Sequence, residues 1–169
     1  MTWKTEGLRA TKCAYLWWWC LKVTMALITD EIDLEREYSP SMWSKRFSSS
    51  QEVTEHHVNV VTAASEAVIN NVPHKLEIEY GATPGQKLDI LGTDLPDDSP
   101  ILVFIHGGYW QMLSREASRY LAQPLHRFRI KTIVVGYDLC PVATLPEIVN
   151  QIQNAAKFVF EYAEKMGSR

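Results

Sequence analysis

Residues 101–110 read Ile-Leu-Val-Phe-Ile-His-Gly-Gly-Tyr-Trp, and the arrangement of the whole chain can be inferred outward from them. The first five residues are continuously apolar, which is typical of a strand covered by helices on both faces of a largely parallel sheet. Gly107 and Gly108 follow almost at once. Glycines at the carboxyl end of a strand allow the backbone to turn tightly and to expose its N–H groups. This stretch therefore predicts a buried strand that ends in a loop of amide donors.

Helix and strand alternate after this loop. Residues 114–129 predict a helix, with Phe128 on its apolar stripe, that Pro124 should kink. Residues 131–137 predict a second buried strand, and residues 145–166 predict a helix that is opened by a capping box and followed by Gly167 as its terminator. A strand, a helix and a second strand in this order imply a parallel pair joined by a right-handed crossover.

The preceding sequence predicts a helix and a hairpin. Residues 50–70 repeat apolar side chains at three- and four-residue steps, with Ser50 as the predicted N-cap. Residues 75–80 and 86–91 alternate with period two across a glycine-containing turn, which indicates an antiparallel hairpin. The predicted fold class is therefore α/β, with an N-terminal hairpin and then β-α-β-α of a mostly parallel sheet. Residues 29–169 would form one domain.

Residues 1–28 differ from the remaining sequence. Three basic residues precede the apolar run 13–21, which resembles the start of a signal peptide. Lys22 interrupts the run, no small-x-small cleavage site follows, and the run is shorter than the ~20 apolar residues of a membrane span. We favour an atypical N-terminal extension, with Met25 as an alternative start, over a secretory or anchoring segment.

Composition excludes several classes of partner. The chain has 169 residues, 46% of them hydrophobic and 22% charged, with a net charge of −3. Neither nucleic acid nor an anionic membrane is expected as a partner, because both need concentrated positive charge. The three cysteines, without a CxxC pair, favour free thiols in the cytoplasm over disulfides or a zinc site. These cysteines are Cys13, Cys20 and Cys140. No metal or cofactor is predicted.

The loop at 106–110 carries the chemistry. Amide donors that converge in a dry site stabilise the oxyanion of a tetrahedral intermediate by ~3–4 kcal/mol each. Esterase-type α/β-hydrolases build their oxyanion hole from an HGG element after the third strand. HGGYW resembles the HGGxW motif of kynurenine formamidases, α/β-hydrolases that convert N-formyl-L-kynurenine into L-kynurenine and formate in tryptophan catabolism. Further resemblances lie at 37–41 with Trp43, at 80–81, at 88–90 and at 137–141.

The resemblance covers about residues 35–166 and implies a role for each residue of the motif. Gly107, Gly108 and Tyr109 would offer N–H donors to the oxyanion. His106 would anchor the loop through its ring and would not be the catalytic base. Tyr109 and Trp110 would line a pocket for a small aromatic formamide, although a core aromatic that fastens the loop is an alternative role for Trp110.

The sequence departs from the family pattern at the catalytic triad. That triad needs a serine in a G-x-S-x-G elbow, then an aspartate and a histidine, and no such elbow occurs in the 169 residues. Ser114 and Ser118 fall on a predicted helix, and Asp138 precedes the place of the nucleophile. We therefore assign no catalytic residue and expect a truncated α/β-hydrolase fold that is inactive by itself.

A truncated sheet would leave strand 101–105 as an apolar edge, which is a template for pairing with another chain. Two alternatives to a formamidase therefore stay open. The chain could be a non-catalytic binding or regulatory module that forms homo- or hetero-oligomers through this edge, for example with a full-length relative. It could instead belong to the carboxylesterase or hormone-sensitive-lipase branch, which also uses HGG.

Overall fold

The computed structural model describes residues 33–168, and the chain divides into two compact units, Met1–Thr54 and Glu55–Arg169. The predicted extension 1–28, its alternatives and the boundary after it lie outside the described residues. Within the first unit, helix α1 spans Leu34–Glu37 and is capped by Asp33, whose carboxylate accepts a hydrogen bond from the Arg36 N–H at 3.1 Å. A 3₁₀ turn, Pro40–Trp43, follows it.

Helix α2 spans Ser50–Asn71, so the helix predicted at 50–70 is confirmed. Its predicted N-cap is wrong by one residue. The hydroxyl of Ser49 accepts a hydrogen bond from the Glu52 N–H at 3.2 Å, and the Glu52 carboxylate accepts one from the Ser48 N–H at 2.9 Å. Ser50 is already helical, so its side chain is not placed to bind the free N–H groups of the first turn.

Within residues 33–168, four strands form one mixed sheet in the order β1-β2-β4-β3. The strands are β1, His74–Glu79; β2, Lys87–Leu91; β3, Ile101–Ile105; and β4, Lys131–Val135. The predicted hairpin is confirmed, because β1 and β2 are antiparallel. The predicted parallel pair is also confirmed between β3 and β4, whereas β2 runs antiparallel to β4. The described sheet therefore contains one parallel pair and has the expected α/β class.

Helices cover both faces of the sheet. Helix α4, Leu145–Met166, begins with the predicted capping box of Thr144 and Glu147 and ends at Gly167, whose φ is 71°. It packs through Ala155 and Val159 on one face, against Leu88, Ile90, Ile133 and Val135. Helix α2 packs on the other face together with α3, Ala122–Arg127; that cluster contains Val68, Val72, Leu91, Ala122 and Val134.

The single helix predicted at 114–129 is wrong. A 3₁₀ helix, Glu116–Leu121, precedes the short α3. The hydroxyl of Ser65 accepts a hydrogen bond from the Tyr120 N–H at 3.1 Å and donates one to the Ala117 carbonyl at 3.0 Å. An α-helix would pair the Tyr120 N–H with the Glu116 carbonyl and the Ala117 carbonyl with the Leu121 N–H, whereas here the Ser65 hydroxyl binds both groups. Pro124 has no N–H to continue the ladder, and Phe128, expected on the buried stripe, is 78% exposed.

Strand β3 lies at the edge of the sheet and pairs with β4 alone among the described strands. Ile101 packs against the cluster under α4, but Val103 and Ile105 on the same face are 43% and 47% exposed. Phe104 points to the opposite face and is half-buried against the α2 cluster. The expected apolar edge is therefore confirmed.

Candidate active site

The HGGYW segment forms a left-handed turn directly after β3. The φ angles are 111° at Gly108, 55° at Tyr109 and 61° at Trp110. Bulky residues rarely adopt such angles, which cost of order 1–3 kcal/mol each and concentrate at functional sites. Within residues 33–168, the N–H groups of Gly107, Gly108 and Tyr109 donate no hydrogen bond. The turn therefore presents three consecutive amide donors without an internal acceptor.

The two glycines of the turn meet different surroundings. A Cβ atom on Gly108 would lie 1.9 Å from the Met112 carbonyl oxygen, and the positive φ of Gly108 disfavours any side chain. That carbonyl cannot move freely, because the turn is closed by hydrogen bonds from the Gln111 and Met112 N–H groups to the Gly108 oxygen, both 3.0 Å. A Cβ atom on Gly107 would have no neighbour within 4 Å. Of these two positions, only 108 requires a glycine for the backbone conformation of the loop.

His106 lies beneath the turn and is 4% exposed. Its ring stacks on Tyr137 with centroids 4.3 Å apart, and the Tyr137 hydroxyl donates to the His106 carbonyl at 2.8 Å. Burial holds the pKa of His106 below its ordinary value. The neutral ring therefore has one N–H, and Nδ1, at 2.8 Å from the Gly107 carbonyl oxygen, is the nitrogen that must carry it.

This contact sets the direction of a peptide group. The C=O and N–H bonds of a trans peptide point in opposite directions. Because the Gly107 carbonyl is directed to the His106 ring, the N–H of Gly108 is directed away from it. His106 thus makes the contacts that the predicted anchoring role requires. Among residues 33–168, no carboxylate is hydrogen-bonded to its ring in the way that orients a catalytic base.

The two aromatic residues of the motif are exposed. Tyr109 is 79% and Trp110 45% exposed, and their ring centroids lie 5.3 Å apart. The Trp110 carbonyl accepts a hydrogen bond from the Cys140 N–H at 2.8 Å, so its backbone fastens the loop to the segment after β4. The side chain of Trp110 is not part of the core of the described residues, contrary to the core-aromatic alternative.

A polar cavity of about 300 Å³ adjoins His106. Its wall includes His106, Leu113, Ser114, Arg115, Gly136 and Tyr137. Arg115 is only 6% exposed and reaches across the cavity to the Glu77 and Glu116 carboxylates, at 2.5 and 2.7 Å. The charges in this cavity are therefore neutralised by each other.

Arg115 also belongs to a buried ion cluster that joins the segment after the HGGYW loop to the hairpin. Asp89 of β2 is fully buried, and its Oδ2 lies 2.7 Å from an Arg119 nitrogen and 3.1 Å from Arg115 Nε. Its Oδ1 accepts the Glu77 N–H at 2.9 Å. A β-bulge, where Glu77 has a φ of 60°, frees that N–H from the ladder.

A signal for this cluster is present in the sequence, although the prediction did not use it. Asp89 is a charged residue within the apolar strand Lys87–Leu91, and a buried charge needs a partner. Arg115 and Arg119 are four residues apart, a spacing that places both side chains on one side of a helical segment.

The remaining polar candidates have structural contacts. The Ser118 hydroxyl is buried and donates to the Ser114 carbonyl at 2.9 Å. The Asp138 carboxylate accepts hydrogen bonds from the Gly85 N–H and the Gln151 amide at 2.9 and 2.8 Å, and also from the Thr83 hydroxyl. Asp138 thus joins the hairpin turn to α4. No hydrogen bond joins the Ser114 or Ser118 hydroxyl to a histidine among the described residues.

Residues 33–168 contain neither a metal-binding cluster nor a membrane-spanning helix. No group of three or more His, Cys, Asp or Glu side chains is placed to hold a metal ion. No helix in this part of the chain has the length and apolar character needed to cross a membrane.

Structural comparison defines the class of protein. The chain superimposes on a candidate thioesterase from Silicibacter sp. TM1040 with a TM-score of 0.62, at 24% identity, over 75% of this chain and 46% of the other. It superimposes on esterase B of Lactobacillus rhamnosis with a TM-score of 0.56, at 21% identity, over 70% of this chain and 40% of the other. For a bacterial heroin esterase the TM-score is 0.54 at 19% identity, over 71% of this chain and 38% of the other. The fold is part of an α/β-hydrolase.

Sequence comparison defines the family. No family model matches the chain. The kynurenine formamidase of Salmo salar is 35% identical over 130 residues, and that of Drosophila melanogaster is 30% identical over 138. These matches cover 76% and 78% of this chain, but only 44% and 46% of the relatives. The chain is a homologue of the kynurenine formamidases that spans less than half the length of the curated relatives it matches.

Proposed function

We propose that residues 106–110 form the oxyanion hole of a kynurenine formamidase-type hydrolase. The substrate would be an aromatic formamide, N-formyl-L-kynurenine by family resemblance. Hydrolysis breaks the bond between the formyl carbon and the nitrogen. Water supplies the oxygen of formate and, after proton transfer, the hydrogen of the released arylamine. The carbonyl oxygen becomes negatively charged in the tetrahedral intermediate, and amide N–H groups stabilise that charge.

One observation carries this proposal: three consecutive N–H groups at the carboxyl end of β3 have no acceptor within residues 33–168. A strained turn with φ angles of 111°, 55° and 61° holds them, and Gly108 is sterically required there. An exposed donor set of this kind can bind an oxyanion without rearrangement. The exposed rings of Tyr109 and Trp110 lie on the same turn, where they could contact an aromatic substrate.

Residues 1–169 by themselves are proposed to be inactive. They contain no G-x-S-x-G element, and the hydroxyls of Ser65, Ser114 and Ser118 make structural hydrogen bonds. An oxyanion hole without a nucleophile gives at most the residual catalysis of ~10³–10⁴ over water, and only where the rest of the site is present. We further propose a cytoplasmic location, because the cysteine pattern suits a reducing compartment.

A second candidate function is that of a non-catalytic binding module. The half-exposed Val103 and Ile105 on an edge strand favour it, because such an edge recruits further strands. A third possibility, an esterase of the carboxylesterase branch, differs from the first in substrate and uses the same turn.

The test is a fusion protein. The formamidase remainder, defined as the part of the Salmo salar kynurenine formamidase beyond its match to this chain, is joined to residues 1–169. We expect the fusion to hydrolyse N-formyl-L-kynurenine in preference to p-nitrophenyl acetate, and residues 1–169 alone to hydrolyse neither. Gly108→Ala in the fusion should lower kcat by ~10²–10³. A fusion that prefers the ester would support the esterase branch, and activity of residues 1–169 alone would contradict the assigned inactivity.

A further inference from the structure

A groove of about 530 Å³ lies between α2 and the segment that follows the HGGYW loop. Its volume falls within the range of ~300–1,000 Å³ that is typical of small-molecule sites. No residue of the HGGYW loop belongs to its wall. The polar residues that line this α2 groove are Thr62, Glu66, Asn70, Ser114, Glu116 and Arg119.

The wall that α2 contributes is polar along its whole length. Thr62, Glu66 and Asn70 are four residues apart, so their side chains lie on one side of the helix. A helix normally turns an apolar stripe toward the element that it packs against. Within residues 33–168, these three side chains have no hydrogen bond and no ion pair. They are therefore available to a ligand in the groove.

The opposite wall contributes a guanidinium group that is held in place. Arg119 Nε and one terminal nitrogen of Arg119 lie 2.8 and 2.7 Å from the same carboxylate oxygen of Asp89. A guanidinium has five N–H donors, and the remaining ones have no acceptor among the described residues. The Arg119 side chain is only 13% exposed, so its orientation is fixed before a ligand enters. The wall therefore offers preorganised donors with a positive charge.

The two walls carry opposite charges that do not meet. Glu66 and Arg119 both line the groove, yet no ion pair joins them within the described chain. A ligand that carries both signs satisfies both walls, because charge-assisted hydrogen bonds form to its ammonium and to its carboxylate. A simple anion would meet the Glu66 carboxylate, and a simple cation would leave the Arg119 donors unused. Ile69 and Ala117 supply an apolar part of the wall for a side chain.

We propose that the α2 groove binds a free α-amino acid with an apolar side chain. The ammonium group of the ligand contacts Glu66, and its carboxylate contacts Arg119. This site does not depend on the proposed hydrolase function. Ser114 and Glu116 also line the cavity beside His106, so the bound amino acid contacts a segment that both cavities share.

The experiment titrates L-leucine into ¹⁵N-labelled residues 1–169 and follows the amide resonances, while calorimetry measures Kd. Two compounds each lack one charged group of L-leucine: isoamylamine has no carboxylate, and N-acetyl-L-leucine has no ammonium. We expect saturable shifts with L-leucine that are confined to residues 62–70 and 114–119. Each of the other two compounds should bind about 10-fold more weakly or worse, because it loses one charge-assisted contact.

A variant of the α2 wall tests the contact with the ammonium group. Glu66→Gln keeps the size of the side chain and should weaken L-leucine binding by about 10-fold, without changing the binding of N-acetyl-L-leucine. Glu161→Gln is the matched control, because that carboxylate is exposed on α4. Circular dichroism shows first that both variants keep their helices.

Three results would overturn the inference. The first is the absence of saturable shifts along the groove when L-leucine is added. The second is an affinity for isoamylamine or for N-acetyl-L-leucine that equals the affinity for L-leucine, since the site would then recognise a single charge. The third is an effect of Glu66→Gln on L-leucine binding that is no larger than the effect of Glu161→Gln.

Discussion

Replacing Asp89 with asparagine should strongly destabilise the chain. The Asp89 side chain is fully buried, with Arg119 at 2.7 Å and Arg115 at 3.1 Å. Asparagine keeps the shape and the oxygen that accepts the Glu77 N–H, so the change removes little more than the negative charge. Two guanidinium groups, 6% and 13% exposed, then lose their shared partner. Breaking such a buried pair costs ~3–5 kcal/mol.

The assay is urea unfolding followed by circular dichroism. With a slope of about 2 kcal/mol per M, the expected loss lowers the unfolding midpoint by about 2 M. Since domains of this size have ~5–15 kcal/mol of stability in total, a partly unfolded variant is within expectation. Glu161→Gln is the control, because its exposed carboxylate lies 3.9 Å from Lys157 Nζ and surface pairs contribute little. A midpoint for Asp89→Asn that falls no further than that of Glu161→Gln would refute the reasoning.

Three further predictions concern the loop and the cap of α4. Gly108→Ala should lower the free energy of unfolding by at least ~1–2 kcal/mol, because φ at Gly108 is positive. Gly107→Ala should not lower it, because a Cβ atom there has no neighbour within 4 Å. Equal melting temperatures of the two variants would contradict this prediction. Burial lowers the pKa of His106 in the folded chain. The stability that the neutral ring provides is therefore present above pH 6.5, the ordinary pKa, and is lost as the pH falls through the lower folded pKa. His106→Asn should flatten this pH dependence of the unfolding free energy, measured by urea titration. Hydrogen bonds from the Thr144 N–H and hydroxyl lower the pKa of Glu147, so the stability that they provide is present above pH 4.5 and is lost in more acidic solution. An NMR titration that gives the Glu147 carboxyl a pKa at or above 4.5 would disprove this prediction.

Local signals were sufficient to predict most of the elements. The capping box at Thr144 and the glycine at 167 define both ends of α4 through contacts between near neighbours in sequence. The hairpin is encoded by its alternating pattern, and β3 and β4 by their apolar runs. In each case the residues that determine the element lie within it or beside it.

Long-range contacts explain what the sequence did not predict. Two backbone groups of the 3₁₀ helix at Glu116–Leu121 are hydrogen-bonded by the Ser65 hydroxyl, which comes from a helix more than 50 residues earlier. At the candidate site, the two glycines are visible in the sequence, but the left-handed angles of Tyr109 and Trp110 are not. Aromatic residues have no intrinsic preference for that conformation, so the surrounding hydrogen bonds must impose it.

The stacking partner of His106 could not be predicted for a similar reason. Tyr137 follows β4, and only the parallel pairing of β3 with β4 brings the ends of both strands together. Their contact requires the register in which Ile105 lies opposite Val135. The sequence identified both residues as members of motifs but gave no measure of their proximity.

The availability of the three loop amides to an anion can be measured directly in residues 1–169. Sodium formate is titrated into ¹⁵N-labelled protein, with sodium chloride as the ionic-strength control, and the amide resonances are followed. We predict saturable shifts at Gly107, Gly108 and Tyr109 that chloride does not reproduce, and their loss in Gly108→Ala. Formate-dependent shifts confined to other parts of the chain, or protection of these three amides from solvent exchange by an internal acceptor, would contradict the assignment of an oxyanion hole.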